Sequence, residues 1–164
     1  MLVSKNGSLE SPRFEHGKPL VIAGLAERHS GTNARIPQQW ERFAPLIGKV
    51  PGQVGCTAHG VVFDTLKRAF SFGYLAGVEV APDRVPETFG HLEIPAQRYA
   101  VFTHHGHVSA IPRTTHAIFA EWLPASGHQL AADGADFFER YGEEFDPRRG
   151  TGEIEIWLPI KPAS

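Results

Sequence analysis

Cysteine is nearly absent from this 164-residue chain, whose single example is Cys56. One cysteine excludes a disulfide framework within the chain, and it also excludes a zinc site built from cysteines. We expect Cys56 to be a buried, unreactive thiol, because an unpaired cysteine usually packs as a small apolar side chain.

Long apolar runs are absent as well. No stretch approaches the roughly 18 residues that a membrane span requires, and residues 1–18 lack the apolar segment of a signal peptide. Neither sign of charge dominates, since 16 Lys and Arg face 18 Asp and Glu, for a formal net charge of -2. A nucleic-acid-binding surface normally carries a basic stripe. The composition therefore predicts a cytoplasmic protein that binds neither membranes nor nucleic acid directly.

Proline and glycine, in contrast, are frequent, with 13 and 17 residues that divide the chain into short elements. The first half predicts a strand, a helix and two strands, at residues 19–28, 37–48, 52–63 and 70–80. The second half repeats this order at residues 97–105, 112–124, 136–145 and 152–160. A shift of 75 residues also lays Ile36-Pro37 on Ile111-Pro112 and Gly52 on Gly127, which indicates a duplication.

The duplication predicts a single α+β domain over residues 1–164, made of β-α-β-β units at about residues 15–82 and 92–160. Residues 81–90 contain two prolines and suit a linker between the units. A unit this small leaves much of its apolar surface exposed, so the two should pack together. We expect an antiparallel sheet with two helices on one face and a cleft where the halves meet, the usual place for a ligand.

The first candidate for a functional residue is Glu139, at the centre of the strand sequence FFERY. Side chains alternate along a strand, so Glu139 shares one face with Phe137 and Tyr141, and that face is either solvent or an aromatic-lined interior. A carboxylate in an apolar cavity is costly to ionise, so its pKa should rise unless a positive group joins it. A cationic ligand would supply that group, and aromatic walls would add cation–π attraction. A raised pKa would equally suit a general base that activates water.

Further candidates share an aromatic ring or a carboxylate within the predicted elements. The full set of candidate ligand-binding residues is Glu139, Tyr141, Tyr74, Trp157, Glu79, Trp40, Trp122 and Tyr99. Tyrosines are often half-buried through packing alone, and Glu79 suits an edge strand as well as a pocket. Trp157 should lie on the face opposite the aliphatic stripe of its strand. Trp40 and Trp122 lie on the predicted helices, where core packing is the simpler role.

Three histidines in the sequence HHGH, at positions 104, 105 and 107, resemble a metal motif. No carboxylate or cysteine lies nearby in sequence to complete a ligand set, so we interpret the segment as an exposed turn and expect no metal. No cofactor is predicted, although haem-binding proteins of a similar duplicated architecture leave open an axial histidine ligand.

The sequence resembles the gyrase-inhibitory-protein-like, or AraC-type, effector-binding domains over residues 15–160. The segments that carry the resemblance are FSFGYLAGVEV, EIPAQRYAVFTHHG, EWLPASGH and FFERYGEEFDPRRGTGEIEIWLPI. It implies a duplicated β-α-β-β fold with a central pocket for flat, hydrophobic, often cationic molecules, and it implies that Glu139 lies at the base of that pocket. Such domains occur attached to bacterial transcription regulators or alone. This chain resembles the free-standing members, because no DNA-binding helix pair is recognisable in it.

Three functions follow as alternatives. The first is a receptor or sequestering protein for a small aromatic or cationic molecule. The second is a hydrolase of strained, cyclopropane-bearing electrophiles, as some free-standing members of the family are, with Glu139 as the catalytic general base. The third is an interaction module for a protein partner such as gyrase or a separate regulator.

Overall fold

The computed structural model describes residues 9–30, 35–66, 71–131 and 135–162. Within these ranges eight strands form one sheet in the order β1-β6-β8-β7-β3-β4-β2-β5, and every neighbouring pair is antiparallel. The strands are β1 Arg13–Gly17, β2 Leu20–Ser30, β3 Gln53–Leu66, β4 Ser71–Val80, β5 Gly90–Ile94, β6 Gln97–Thr103, β7 Phe137–Tyr141 and β8 Ile154–Ile160.

Each half contributes one helical segment. In the first half, helix α1 (Ile36–Phe43) continues into a 3₁₀ turn at Ala44–Leu46. In the second half, helix α2 (Ile111–Ala117), a π-helical turn (Ile118–Trp122) and helix α3 (Leu123–Ser126) follow one another directly. Both α1 and α2 begin with Ile-Pro, where proline is tolerated because first-turn N–H groups have no intrahelical partner. The two helix starts reproduce the 75-residue offset of the sequence.

The π-helical turn has a local cause in the sequence. Pro124 cannot donate the hydrogen bond that a regular helix requires, and its ring would clash with the carbonyl group four residues earlier. The residues just before this proline, Ile118–Trp122, form the wider π-helical turn instead of a regular helical turn. The helical segment then ends at Gly127, whose φ of 77° is the left-handed conformation that glycine adopts at low cost.

The predicted α+β fold with an antiparallel sheet and two helical segments is confirmed. The order strand, helix, strand, strand occurs twice, as β2-α1-β3-β4 and as β6-α2-β7-β8. Strands β3 and β7 pair at the centre, so the two halves join there. The short strands β1 and β5 were not predicted, and each pairs with the other half: β1 with β6, and β5 with β2.

The sheet is curled rather than flat. Strand β5 lies at one edge of the sheet and β6 is the second strand from the other edge, yet Ile94 and Gln97 are joined by only two residues. Two residues span at most about 11 Å between those Cα atoms, so the two edges approach each other. The helices cover the outer face of the curl. The inner face holds its own apolar cluster, which includes Ile22, Leu75 and Phe138.

Several local expectations differ from the structure. Cys56 is exposed, because β3 is irregular between Gln53 and Ala58 and Gly55 there has a φ of 72°. The α1 segment ends before Ile47, near the left-handed Gly48.

Two strands also differ from expectation. Strand β4 lies between β3 and β2, so the edge-strand interpretation of Glu79 is wrong. Strand β3 extends to Leu66, beyond the predicted end of that strand at residue 63, and residues 67–70 lie outside the described residues. No helix among the described residues is long and apolar enough to cross a membrane.

Helix α1 is fastened to the sheet by a polar side chain that the sequence did not single out. Gln39 is fully buried, and its Nε2 donates hydrogen bonds to the carbonyl oxygens of Leu25 and Tyr74, both at 2.8 Å. Its Oε1 accepts from Nε2 of His29 at 2.6 Å, and Nδ1 of His29 accepts from the backbone N–H of Arg35. The start of α1 is therefore tied to β2 and β4.

We expect Gln39→Leu to lower the free energy of unfolding by about 1–3 kcal/mol, because it leaves buried polar groups without partners. Urea unfolding of Gln38→Leu provides the control, since Gln38 is an exposed glutamine on the same helix. Equal stability of the two variants would show that this hydrogen-bond group does not hold α1 on the sheet.

Candidate ligand-binding site

Glu139 lies on the central strand of the sheet, under the helices. It pairs with Gly60 of β3 on one side and with Ile156 of β8 on the other. Only 7% of Glu139 is exposed, so the solvent-facing interpretation of this residue is excluded. The alternation along β7 places Phe137 and Tyr141 on the same face, as FFERY predicted.

Two tyrosine hydroxyl groups donate to the same oxygen of Glu139. Tyr74 Oη lies 2.6 Å from Glu139 Oε1, and Tyr141 Oη lies 2.7 Å from it. Trp40 Nε1 donates in turn to Tyr74 Oη at 3.0 Å. We call these four residues the Glu139 cluster. It connects α1, β4 and β7 through one carboxylate.

The Glu139 cluster contains a carboxylate without a cationic partner. Among the described residues no Lys, Arg or His forms an ion pair with Glu139. Burial raises the pKa of Glu139, and the hydrogen bonds from Tyr74 and Tyr141 oppose this rise only in part. Burial also raises the pKa of both tyrosines well above the usual value, and the charge of Glu139 adds to that rise. The tyrosines therefore remain protonated donors at neutral pH.

Aromatic rings surround the carboxylate at the junction of the two halves. The ring of Trp40 lies 5.4 Å from that of Tyr141 and 6.4 Å from that of Tyr74, edge to face in both cases. Tyr141 contacts Phe145 at 4.9 Å. Trp40 and Phe137 pack against the apolar clusters of both halves. The duplicated fold thus places the acid in an aromatic environment to which both halves contribute.

Gly60 is a further residue of the site that sequence reasoning missed. A Cβ atom at this position would overlap the hydroxyl group of Tyr74 and lie 2.7 Å from Glu139 Oε1. Glycine is therefore required for the close approach of these side chains, since any side chain would displace one of them. The only signal in the sequence was a glycine within an apolar strand, and this pattern has several other causes.

The structure brings only four of the eight candidate residues together. Trp122 lies on the same face of the sheet but packs elsewhere, 5.0 Å from the ring of Phe102. Tyr99, Glu79 and Trp157 alternate to the inner face of the curl, so they lie on the opposite side of the sheet from Glu139. The expected single site of eight residues is thus divided by the sheet. The predicted placement of Trp157 opposite its aliphatic stripe agrees with the register.

The HHGH segment has a structural role at its first histidine. His104 is buried, where its Nδ1 lies 2.8 Å from Thr114 Oγ1 and its Nε2 lies 2.9 Å from the carbonyl oxygen of His107. The expected exposed turn is therefore wrong for His104, which fastens α2 to the end of β6. In the part of the chain that is described, no group of three or more His, Cys, Asp or Glu side chains could hold a metal ion.

Comparison with known proteins agrees with this architecture. The model of the GyrI-like small molecule binding domain matches residues 10–161, so the chain belongs to the GyrI-like family. It is 32% identical over 155 residues to the transcriptional regulator BrlR of Pseudomonas aeruginosa. That match covers 93% of this chain and 54% of BrlR, so the chain spans about half the length of this relative.

Two solved structures share the fold. SAV2435, in a structure bound to tetraphenylphosphonium, has a TM-score of 0.69 and 18% identity, with 93% of this chain and 94% of that chain covered. The C-terminal domain of EcmrR has a TM-score of 0.66 and 12% identity, with 94% and 99% covered. These two likenesses show that this chain shares the fold of both domains.

The raised pKa of Glu139 predicts a pH-dependent loss of stability. The folded protein holds the carboxyl proton more tightly than the unfolded chain, so stability falls as pH rises from the unfolded pKa through the folded one. Glutamine cannot ionise, and its Oε1 can still accept from both tyrosines. We expect Glu139→Gln to be at least as stable as the parent at neutral pH, with the difference shrinking as the solution is acidified. Thermal melting across this range measures it, and a variant less stable only at neutral pH would refute the pKa assignment.

Proposed function

We propose that this protein binds hydrophobic, aromatic cations at the Glu139 cluster. The observation that carries the proposal is a buried carboxylate among aromatic rings, with no cationic partner in the described residues. A bound cation would offset the cost of ionising Glu139 in this environment. Neutral molecules would lack this gain, and anions would be repelled.

The aromatic members of the cluster add a second contribution. Faces of Trp40, Tyr74 and Tyr141 attract a cation through their ring quadrupoles, worth about 0.5–2 kcal/mol for each good contact. Flat or aryl-bearing cations also bury apolar surface against the same rings. The proposed selectivity therefore combines charge with aromatic shape. The tetraphenylphosphonium ion in the SAV2435 structure has this combination, which supports the choice of ligand class.

Binding at this cluster requires part of its cover to move. Glu139 and Tyr141 are each 7% exposed, whereas Trp40 is half-buried at the junction between the halves. We infer that a ligand enters by displacing the Trp40 side chain, which breaks its hydrogen bond to Tyr74. If this domain is part of a larger regulator, displacement of the Trp40 side chain would signal that a ligand is bound. In a free-standing protein, the same displacement would accompany sequestration of the ligand. A contact with gyrase or with a separate regulator is a further proposal for the same domain.

The role of the acid predicts a charge-selective loss of affinity. We expect Glu139→Gln to weaken tetraphenylphosphonium binding by roughly 1.5–3 kcal/mol, the range for losing a charge-assisted contact. The affinity for a neutral analogue of similar size, such as tetraphenylmethane with one hydroxyl group added for solubility, should fall far less in the same variant. Isothermal titration calorimetry of both ligands measures the difference.

The matched control for this experiment is Arg140→Gln on the adjacent position of the same strand. Arg140 lies on the inner face, so its removal should leave the affinity for the cation unchanged. The proposal fails if Arg140→Gln abolishes binding of the cation and Glu139→Gln does not.

Hydrolysis of a strained electrophile is the second candidate, favoured by the same raised pKa of Glu139. A general base with a pKa closer to neutrality accepts a proton from water more effectively. Incubation with a cyclopropane-bearing aryl electrophile distinguishes the two functions. Product that accumulates beyond one equivalent and disappears in Glu139→Gln would assign catalysis, and saturation without turnover would assign binding.

A further inference from the structure

An open groove of about 420 Å³ lies on the inner face of the curled sheet, on the opposite side from the Glu139 cluster. Its floor is aromatic. The rings of Phe138 and Trp157 are stacked at 5.5 Å with an interplanar angle of 15°, and Tyr99 meets Trp157 edge to face at 5.1 Å. A volume of this size accommodates a bicyclic aromatic molecule, at the lower end of the range for ligand pockets.

Arg140 is the charged group of the groove with the most unused donors. Its Nη1 lies 3.4 Å from Glu155 Oε1, a long contact, and 34% of its side chain is exposed. Glu155 is already engaged, because Arg13 Nη2 contacts it at 2.8 Å and Trp157 Nε1 donates to it at 3.0 Å. A guanidinium group has five N–H donors in a planar fork. Among the described residues Glu155 is the only acceptor that Arg140 contacts.

The other two cations that line the groove, Arg13 and Lys18, each lie closer to a carboxylate, and Arg13 Nη2 is 2.8 Å from Glu155 Oε2. Lys18 Nζ lies 3.2 Å from Glu79 Oε2 at the rim of the same groove. Of these three cations, Arg140 has the longest contact with a carboxylate, which it shares with Arg13. A planar guanidinium group matches a carboxylate, which can accept two parallel hydrogen bonds from it.

A buried histidine adjoins Arg140 in the groove wall. His59 pairs with Arg140 across β3 and β7, and its ring lies 5.4 Å from that of Phe138. Burial, followed by the charge of Arg140, lowers the pKa of His59 to about 3, so the imidazole is neutral. Its Nδ1 has no hydrogen-bond partner among the described residues. An unpaired buried polar atom is costly, and a polar ligand in contact with this ring would offset part of that cost.

We propose that this groove is a second ligand site, which takes a small planar aromatic carboxylate. The ring of the ligand packs against Trp157, the half-buried ring of the floor, and its carboxylate accepts hydrogen bonds from the guanidinium group of Arg140. The central strand β7 then serves two sites of opposite charge preference, with Glu139 facing outwards and Arg140 facing inwards. The inner site is independent of the function proposed for the Glu139 cluster.

Calorimetric titration with naphthoate tests the inner site. We expect saturable binding with one site per chain, and a loss of affinity of about tenfold or more for Arg140→Gln. Naphthylmethanol, which has the same ring without the charge, should bind the parent protein more weakly by a similar factor. Glu139→Gln should bind naphthoate as the parent does. Arg42→Gln is the matched control, because Arg42 pairs with Glu27 on the helix-covered face.

The proposal is overturned if naphthoate does not saturate, if naphthylmethanol binds equally well, or if Arg42→Gln loses as much affinity as Arg140→Gln. Should Arg140→Gln fail to fold, nuclear magnetic resonance of the parent protein decides. Naphthoate should then shift the ring signals of His59, Phe138 and Trp157. Shifts confined to Trp40 and Tyr74 would place the ligand at the outer cluster and refute the inner site.

Discussion

The two hydrogen bonds from Tyr74 and Tyr141 to one oxygen of Glu139 are the interaction around which the centre of the molecule is built. They hold a carboxylate at the junction of two core clusters, where burial raises its pKa. Trp40 extends the same network into α1. Loss of the Glu139 side chain would leave the hydroxyl groups of Tyr74 and Tyr141 without their common acceptor. The packing of the junction and the chemistry of the site therefore depend on the same atoms.

The duplicated topology explains how one carboxylate reaches this position. Strands β3 and β7 pair at the centre of the sheet, and Gly60 leaves the space that Tyr74 needs beside Glu139. The exchanged strands β1 and β5 close the curl and give the sheet a separate inner face. A strand in the middle of such a sheet presents alternate residues to the helix-covered face and to the groove of the inner face. Glu139 and Arg140 are therefore neighbours in sequence that serve opposite sides of the molecule.

Much of this arrangement could be predicted from the sequence, because it depends on local periodicity. The 75-residue offset located both Ile-Pro helix starts, and alternation in FFERY placed Glu139 with Tyr141. The sequence could not predict which strands the short segments RFEHG and GHLEI join, because such pairing depends on contacts distant along the chain. For the same reason it grouped Tyr99, Glu79 and Trp157 with Glu139, although each faces the inner side. Gln39 was missed because a single buried glutamine has no signature in the pattern of an amphipathic helix.

The most direct test of the central claim is the pKa of the Glu139 carboxyl group itself. In protein with carbon-13-labelled glutamate, the carboxyl resonance of Glu139 is assigned by its absence from Glu139→Gln. Its chemical shift as a function of pH gives this pKa in the free protein and with tetraphenylphosphonium bound. The account predicts a pKa above that of an exposed glutamate in the free protein, and a clear fall when the cation binds, because the bound charge stabilises the carboxylate. A pKa at or below the usual value in the free protein, or one that the bound cation leaves unchanged, would contradict it.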